Sequence, residues 1–458
     1  MMARDVSDST PITGRHDLVA ALEAGCKPVD RHRIGTEHEK IGFYRADLSP
    51  VPYEGANGIG GIRQMLEEMG ESLGWTPILD GSNIIGLADQ AGGAISIEPG
   101  GQFELSGAPL KTIHETQDEL DRHFAALRPI AERLGIGFLT LGMSPKWTRE
   151  ETPVMPKSRY AIMAGYMPKV GSRGLDMMFR TTTVQANFDF ASEADMVRKL
   201  RVALALQPLA TALFANSPFI DGRLNGNLSE RSAVWLDTDR NRSGMLPFAF
   251  EDGMGFERYV DYALDVPMYF IKRDETYIDV AGSSFRDLLE GRHPAMPGVR
   301  ATLSDWANHL STIFPEVRLK TFLEMRGADT GSMPFLTALP ALFTGLLYAP
   351  GALDAAWDLV RPWSRQDREA LRVAVPRLGL ETEIAGRKLR AIGREVLALA
   401  RAGLAERGHR NASGADETRY LDVLDEVVAG RSQAERLIEL FTGPWRESVD
   451  PVFRECVF

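Results

Sequence analysis

Cysteine is nearly missing from this chain. Only Cys26 and Cys456 occur in 458 residues, which leaves no disulfide framework and no CxxC spacing for zinc or dithiol chemistry. That scarcity suits a reducing compartment, and a cytoplasmic location is the expectation. Long apolar runs are lacking as well. The most apolar stretch, PFLTALPALFTGLLYAP, is broken by prolines before it could span a bilayer, and the opening MMARDVSDSTPITGRHD has no apolar core. Neither a transmembrane helix nor a signal peptide is expected. Positive charge is in deficit, the formal net charge being -11, which argues against nonspecific nucleic-acid binding and gives no support for an anionic membrane partner. Also missing are GxxxxGK[ST], GxGxxG after a strand, HExxH and GxSxG. A bound nucleotide would therefore be held by metal and arginine, without a phosphate loop.

What is present looks like an ordinary soluble protein. Hydrophobic residues at 44% and charged residues at 25% exclude disordered and fibrous classes, and the length allows one large domain or up to about three. HDLVAALEAG reads as a short helix closed by Gly25, GIRQMLEEMGESLG as a second helix, and ILDGSNIIGLAD with AISIEPGGQFELS as short strands between turn signals. A long helix follows in TIHETQDELDRHFAALRPIAERLG, opened by a Thr112/Glu115 capping box and ended at Gly135. TTTVQANFDF and VRLKTFLEMRGAD read as strands, ADMVRKLRVALALQPLATALFAN as a buried helix interrupted at Pro208, and NASGADE as a flexible linker. From Ala352 onward the pattern is mostly helical.

Acid residues fall where buried strands are expected. In IGTEHEKIGF the two-residue alternation of a strand puts Glu37, Glu39 and Ile41 on one face and His38 and Lys40 on the other. Gln102 and Glu104 share a face in ISIEPGGQFELSG, just after Glu98 at a Pro-Gly-Gly bend, and Glu324 and Arg326 share one in FLEMRGAD. Taken singly, each is explained by a solvated ladder of charge, with Lys40 as a partner for the first. Three together point to glutamates converging on a cavity, where oxygen ligands would suit Mg²⁺. His38, facing away, reads as structural. Gln185 and Asn187 share a strand face. A scattered set of arginines, Arg159, Arg173, Arg180, Arg231, Arg240 and Arg242, offers planar forks for carboxylate or phosphate, although a local acid would explain any one of them.

In chain order, GTEHEKIGF, ISIEPGGQFELSGAPL, MPKSRYAIMAGYMPKVG, LDMMFRTTTVQANFDF, LATALFANSPF, RSAVWLDTD, YVDYALDVPMYF and LEMRGAD closely resemble the glutamate-cysteine ligases of the plant and proteobacterial type, over roughly residues 30 to 350. The resemblance implies ATP-dependent joining of the glutamate γ-carboxylate to the amine of cysteine through a γ-glutamyl phosphate. It implies an α+β fold of the glutamine synthetase-like type: a curved, mostly antiparallel sheet forming a funnel packed by helices. On that basis residues 1–13 are a polar leader, 14–350 the catalytic domain, and 351–458 a helical C-terminal region packed on it. The protein would act as a monomer or homodimer with L-glutamate, L-cysteine and ATP as partners.

The resemblance also implies roles. Glu37, Glu39, Glu98, Gln102, Glu104 and Glu324 become candidate Mg²⁺ ligands, Arg326 a group for phosphate, and Arg159 and Arg231 groups for substrate carboxylates, with Arg231 and Arg326 counted as catalytic. Arg180, Gln185 and Asn187 join the substrate-binding set, and Tyr262 and Tyr269 form the amine pocket. One departure stands out: Gln117 occupies the position of a plant regulatory cysteine, so the plant redox switch is not expected. The rival readings are a related ligase with another amine acceptor and a noncatalytic protein that has kept the fold.

Overall fold

The computed structural model describes residues 8–274 and 276–458, so the first seven residues of the expected leader lie outside the described part. Nine strands form one antiparallel sheet: β1 (Ile34–Tyr44), β2 (Thr76–Asp80), β3 (Asn83–Ala88), β4 (Ala94–Ile97), β5 (Gln102–Ser106), β6 (Ile136–Leu139), β7 (Thr183–Phe188), β8 (Val317–Leu319) and β9 (Leu323–Asp329). Their order is β8-β9-β7-β1-β5-β4-β3-β2, with β6 continuing beside the second half of β1. The sheet is central because β1 is long enough to serve three partners: β7 along 34–38, β5 along 37–41 and β6 along 41–44.

One face of this sheet is apolar. Phe103, Leu105, Val184, Ala186, Phe188 and Met325 are fully buried there, under the helices Ile113–Arg133, Glu193–Leu213 and Met333–Leu347. His38 and Lys40 share this face, as the alternation predicts. The Lys40 ammonium donates to the Phe103 carbonyl (3.2 Å) among the rings of Phe103, Phe124 and Phe138, and burial drags its pKa down to about 7 against the pull of Glu104 and Glu39. The other face carries the acids.

Behind the apolar face, the helix Met333–Leu347 is sandwiched between the sheet and the C-terminal helix Leu389–Arg407. A β-carbon on Gly345 would meet the Ala400 carbonyl at 2.1 Å, and one on Gly403 would meet the Gly345 carbonyl at 1.9 Å, so these two helices touch backbone to backbone. The apolar run PFLTALPALFTGLLYAP is thus a core helix, and no single described helix is long and apolar enough to cross a membrane.

Several local expectations need correction. The helix Glu193–Leu213 runs through Pro208 without a break, because burial on all sides outweighs the one ladder bond that proline removes. VRLKTFLEMRGAD is a hairpin of two strands, β8 and β9. NASGADE is a pinned turn, closed by the Arg410/Asp416 bridge and by Asn411 Oδ1, which accepts from the Ser413 and Ala415 amides. Gly25 does not cap its helix in the left-handed region; the Thr321 backbone presses against it, only 2.5 Å from where a β-carbon would stand. The capping box at Thr112 and the left-handed Gly135 are as expected.

Candidate active site

The polar face gathers side chains from five adjacent strands. Register places Glu39 opposite Glu104, Glu37 opposite both Ser106 and Gln185, Ser96 opposite Glu104, and Glu324 opposite Asn187. Period-two alternation then sends all of them to one side. Above this floor lies a cleft enclosing about 770 Å³ of space including its open mouth. Its polar lining includes Glu39, Glu98, Gln102, Arg159, Gln185, Arg231 and Arg326; its apolar wall includes Tyr160, Met163, Met177, Met178, Trp235, Phe270 and Phe314.

The acid side of the floor is short of cations. Glu39 is half-buried at the cleft and receives the Thr183 N–H (3.0 Å); desolvation and the neighbouring Glu104 and Glu98 charges push its pKa well up, with Arg231 acting the other way. Glu104 receives the hydroxyls of Ser96 (2.7 Å) and Ser106 (3.1 Å), yet burial and the Glu98 and Glu37 charges raise it to about 8. Glu98 stands at the Pro-Gly-Gly bend, 3.3 Å from the Tyr160 hydroxyl, which donates to the Ile97 carbonyl at 2.8 Å. Glu37 lies deeper, accepting from the Asn187 amide at 2.8 Å.

Glu324 is the reverse case. Arg318 grips both of its oxygens (2.7 and 2.9 Å), Lys320 sits 3.2 Å away, and Arg326 donates to it as well. Burial opposes its ionisation, but Arg318, Lys320 and Arg326 together hold its pKa well below the ordinary range. Arg326 also donates to Gln185 Oε1 (2.7 Å). Its aim comes from a β-bulge: the register of β9 shifts between Met325 and Ala328, a device that redirects a side chain. The bulge is held from behind, where Gln207 accepts the Gly327 N–H and Thr211 donates to the Gly327 carbonyl, both at 2.8 Å. Arg231 arrives from the short helix Glu230–Val234 and donates to the Arg326 carbonyl (2.8 Å), so the two arginines meet.

The remaining residues predicted from sequence divide. Arg159, Gln185, Arg231 and Arg326 line the cleft; Asn187 and Glu37 lie on the same face beyond it. Gln102 lines the cleft too, but its amide is committed: Nε2 donates to the Met178 and Thr181 carbonyls (3.1 and 3.0 Å) and Oε1 accepts the Gly100 N–H (2.8 Å). Arg180 is outside, tied to the Trp147 carbonyl (2.6 Å) and to Asp221 (2.7 Å). Tyr269 is buried under the Arg242 guanidinium, 3.8 Å from its ring centre, and its neighbour Phe270 is the one that reaches the cleft. Tyr262 packs on Phe248 and Tyr259, off the cleft. Sequence reasoning missed Arg318 and Lys320, because it took VRLKTFLEMRGAD as one strand; the hairpin sets Arg318 opposite Glu324. It also missed Thr183, Tyr160 and the methionine wall, which carry no signal of their own. Among the described residues, no three His, Cys, Asp or Glu side chains are grouped closely enough to hold one ion.

Comparison with known proteins bears on this site. A family model described as glutamate-cysteine ligase family 2 (GCS2) matches residues 33–455. The chain is 54% identical to the chloroplastic glutamate-cysteine ligase of Nicotiana tabacum over 449 residues, covering 98% of this chain and 83% of the relative. It is 53% identical to that of Arabidopsis thaliana with the same coverage. In three dimensions it is similar to a crystal structure of glutamate-cysteine ligase from Francisella tularensis in complex with AMP, with a TM-score of 0.53 at 12% identity, covering 94% of this chain and 89% of the other; that likeness bears on fold alone. The expected cytoplasmic location is corrected by the relatives. They are chloroplastic proteins, so two free cysteines are no guide to compartment.

Proposed function

The chain belongs to glutamate-cysteine ligase family 2 and uses ATP to join the γ-carboxylate of glutamate to the amine of cysteine, and we propose that it does so in the cleft over Glu39, Glu98, Arg231 and Arg326. The observation that carries this assignment is the division of charge across one cleft, with carboxylates short of cations on one side and a buried arginine pair on the other. A carboxylate does not attack a γ-phosphate unless charge on both is neutralised, and the acyl phosphate then reacts with the amine through an intermediate whose oxyanion needs positive charge nearby.

Glu39, Glu98 and Glu104 fit Mg²⁺. They are hard oxygen donors whose ionisation is resisted by burial and mutual repulsion for Glu39 and Glu104, so a divalent cation would relieve both. Three carboxylates not yet grouped around one point also suit an ion that commonly keeps water and substrate phosphate among its ligands. When bound, the ion would neutralise phosphate charge. Glu324 and Gln102 fit less well, since three cations already neutralise the first and backbone groups occupy the second.

On the other side, Arg326 is aimed by its bulge and steadied by Gln185 and Glu324, which suits it to transferring phosphate. Arg231, wholly buried, offers its fork to a glutamate carboxylate. The methionine wall with Phe270 bounds the space left for the amine. Residues 14–350 act in this reading as the catalytic unit, and 351–458 as a helical layer behind it.

The test is an assay of glutamate-dependent ADP release across a panel of amines. Cysteine should support the largest kcat/KM, with no ADP release when glutamate is left out. A different amine preferred over cysteine would reassign the acceptor, and no glutamate dependence would sink the reading.

A further inference from the structure

Resting on the reading of Arg231 and Arg326 as substrate-facing groups, we propose that Arg372, outside the cleft, is a positioning residue that fixes these two arginines relative to each other. It comes from the C-terminal helix Arg365–Leu378. Its Nε donates to Glu316 Oε1 (2.8 Å) and its Nη2 to the Trp235 carbonyl (3.2 Å); both side chains of the ion pair are largely buried.

Each contact leads to one arginine. Trp235 is the residue that ends the helix Glu230–Val234, which carries Arg231. The Glu316 carbonyl accepts the Arg326 N–H (3.2 Å). The same C-terminal helix takes a second hold, because the Pro376 carbonyl accepts from the Leu228 and Ser229 amides (2.7 and 3.0 Å). Pro376 lies in the last turn, where helix carbonyls have no partner within the helix. Ser229 in turn caps the Arg231 helix, its hydroxyl accepting the Ser232 N–H at 3.1 Å.

Between the two segments is a smaller cavity, about 300 Å³, lined by Arg231, Trp235, Glu316 and Arg326 among others. Arg372 is a crosspiece between two residues of that lining, Trp235 and Glu316. A planar fork meets a carboxylate and a carbonyl at once in a fixed geometry that a flexible ammonium does not impose. Arg326 sits at the bulge that Gln207 and Thr211 hold from behind, so loss of the crosspiece falls on the Arg231 segment, and through it on glutamate.

The experiment compares Arg372→Met, Arg372→Lys, Glu316→Gln and the Arg372→Met/Glu316→Gln double variant in the full chain, each with a melting curve and with KM and kcat for all three substrates. Arg372→Met should lower kcat/KM for glutamate by about 10- to 100-fold, the scale of a misplaced positioning group, with KM for ATP within about twofold of wild type. Arg372→Lys should be intermediate, and the double variant should lose less than the product of the single losses. Unchanged glutamate kinetics in Arg372→Met, or an equal loss for all three substrates that follows a fall in melting temperature, would overturn the proposal. If Arg372→Met does not fold, Arg372→Lys and Glu316→Gln decide by the same criterion. A wild-type protein without ligase activity overturns the underlying reading, and the crosspiece role with it.

Discussion

Two carboxylate groups on one sheet face stand in opposite electrostatic settings. At Glu39 and Glu104, acids outnumber bases and burial pushes both pKa values up; at Glu324, three cations converge on one carboxylate and pull its pKa down. Residue type and face are the same, and Glu104 is as fully buried as Glu324, so none of these decides the role. The local count of opposite charges does. Where it is short, a cation from outside adds most; where it is in excess, the carboxylate becomes a hub that orients arginines and leaves nothing for an ion to do.

The sharpest way to break the contrast is Glu104→Gln. Ligation should fall by about 10²- to 10³-fold, the usual scale for removing one charge-stabilising group from an active site. The metal-free protein, in chelator, should respond with the opposite sign. A carboxyl whose folded pKa stands near 8 binds its proton more tightly folded than unfolded. Its ionisation therefore weakens the fold as pH rises from the ordinary carboxylate range to about 8. The amide removes that penalty, so the variant should melt above wild type at about pH 8.5 and gain little in acid. A variant less stable than wild type at both ends would mean that the pair is already compensated.

Glu324→Gln should do the reverse, because Arg318, Lys320 and Arg326 lose their common partner. Unfolding by urea near neutral pH should show a loss of about 3–5 kcal/mol, typical of a broken buried pair. Stability from a carboxylate with a depressed folded pKa is present above its unfolded pKa and disappears as pH falls through the folded one. The gap to wild type should therefore narrow in acid. A loss below about 1 kcal/mol would place Glu324 among ordinary surface acids.

The smallest effect separates ligand from strut at Gln102. A carboxylate there cannot donate to Met178 and Thr181, so Gln102→Glu should cost about 1–3 kcal/mol in stability and leave the Mg²⁺ concentration for half-maximal activity unchanged or higher. If that concentration falls instead, Gln102 touches the ion after all.

Much of this site was legible from alternation alone. The shared faces of Glu37 with Glu39, Gln102 with Glu104, Gln185 with Asn187 and Glu324 with Arg326 follow from a period of two, and His38 is structural as read. What alternation cannot give is which strands are neighbours. Nothing in one strand says that Glu104 lies opposite Glu39, or that Glu324 is met by Arg318 across a hairpin. Tyr262 and Tyr269 show the second limit: an aromatic hydroxyl has no sequence mark that tells a cleft wall from a core, and Phe270 took the place expected of its neighbour. The arginines mark a third. Arg180 and Arg231 are both buried and both plausible as anion grips, yet nearby acid and carbonyl groups had already claimed Arg180.

The bulge in β9 is a matter of parity. Between Thr183 and Asn187 on β7 there are four steps, but between their partners Asp329 and Glu324 there are five. A regular strand would send Glu324 and Asp329 to opposite sides of the sheet. The extra residue brings both to the same side, where Glu324 gathers its cations and Asp329 accepts the Ser217 and Ser229 hydroxyls that fasten the Arg231 helix. Removal of Gly327 would thus do more than shorten a strand: β9 would have the four steps of β7, plain alternation would keep both acids on one side, and the kink that aims Arg326, with the backbone groups that Gln207 and Thr211 hold, would be lost.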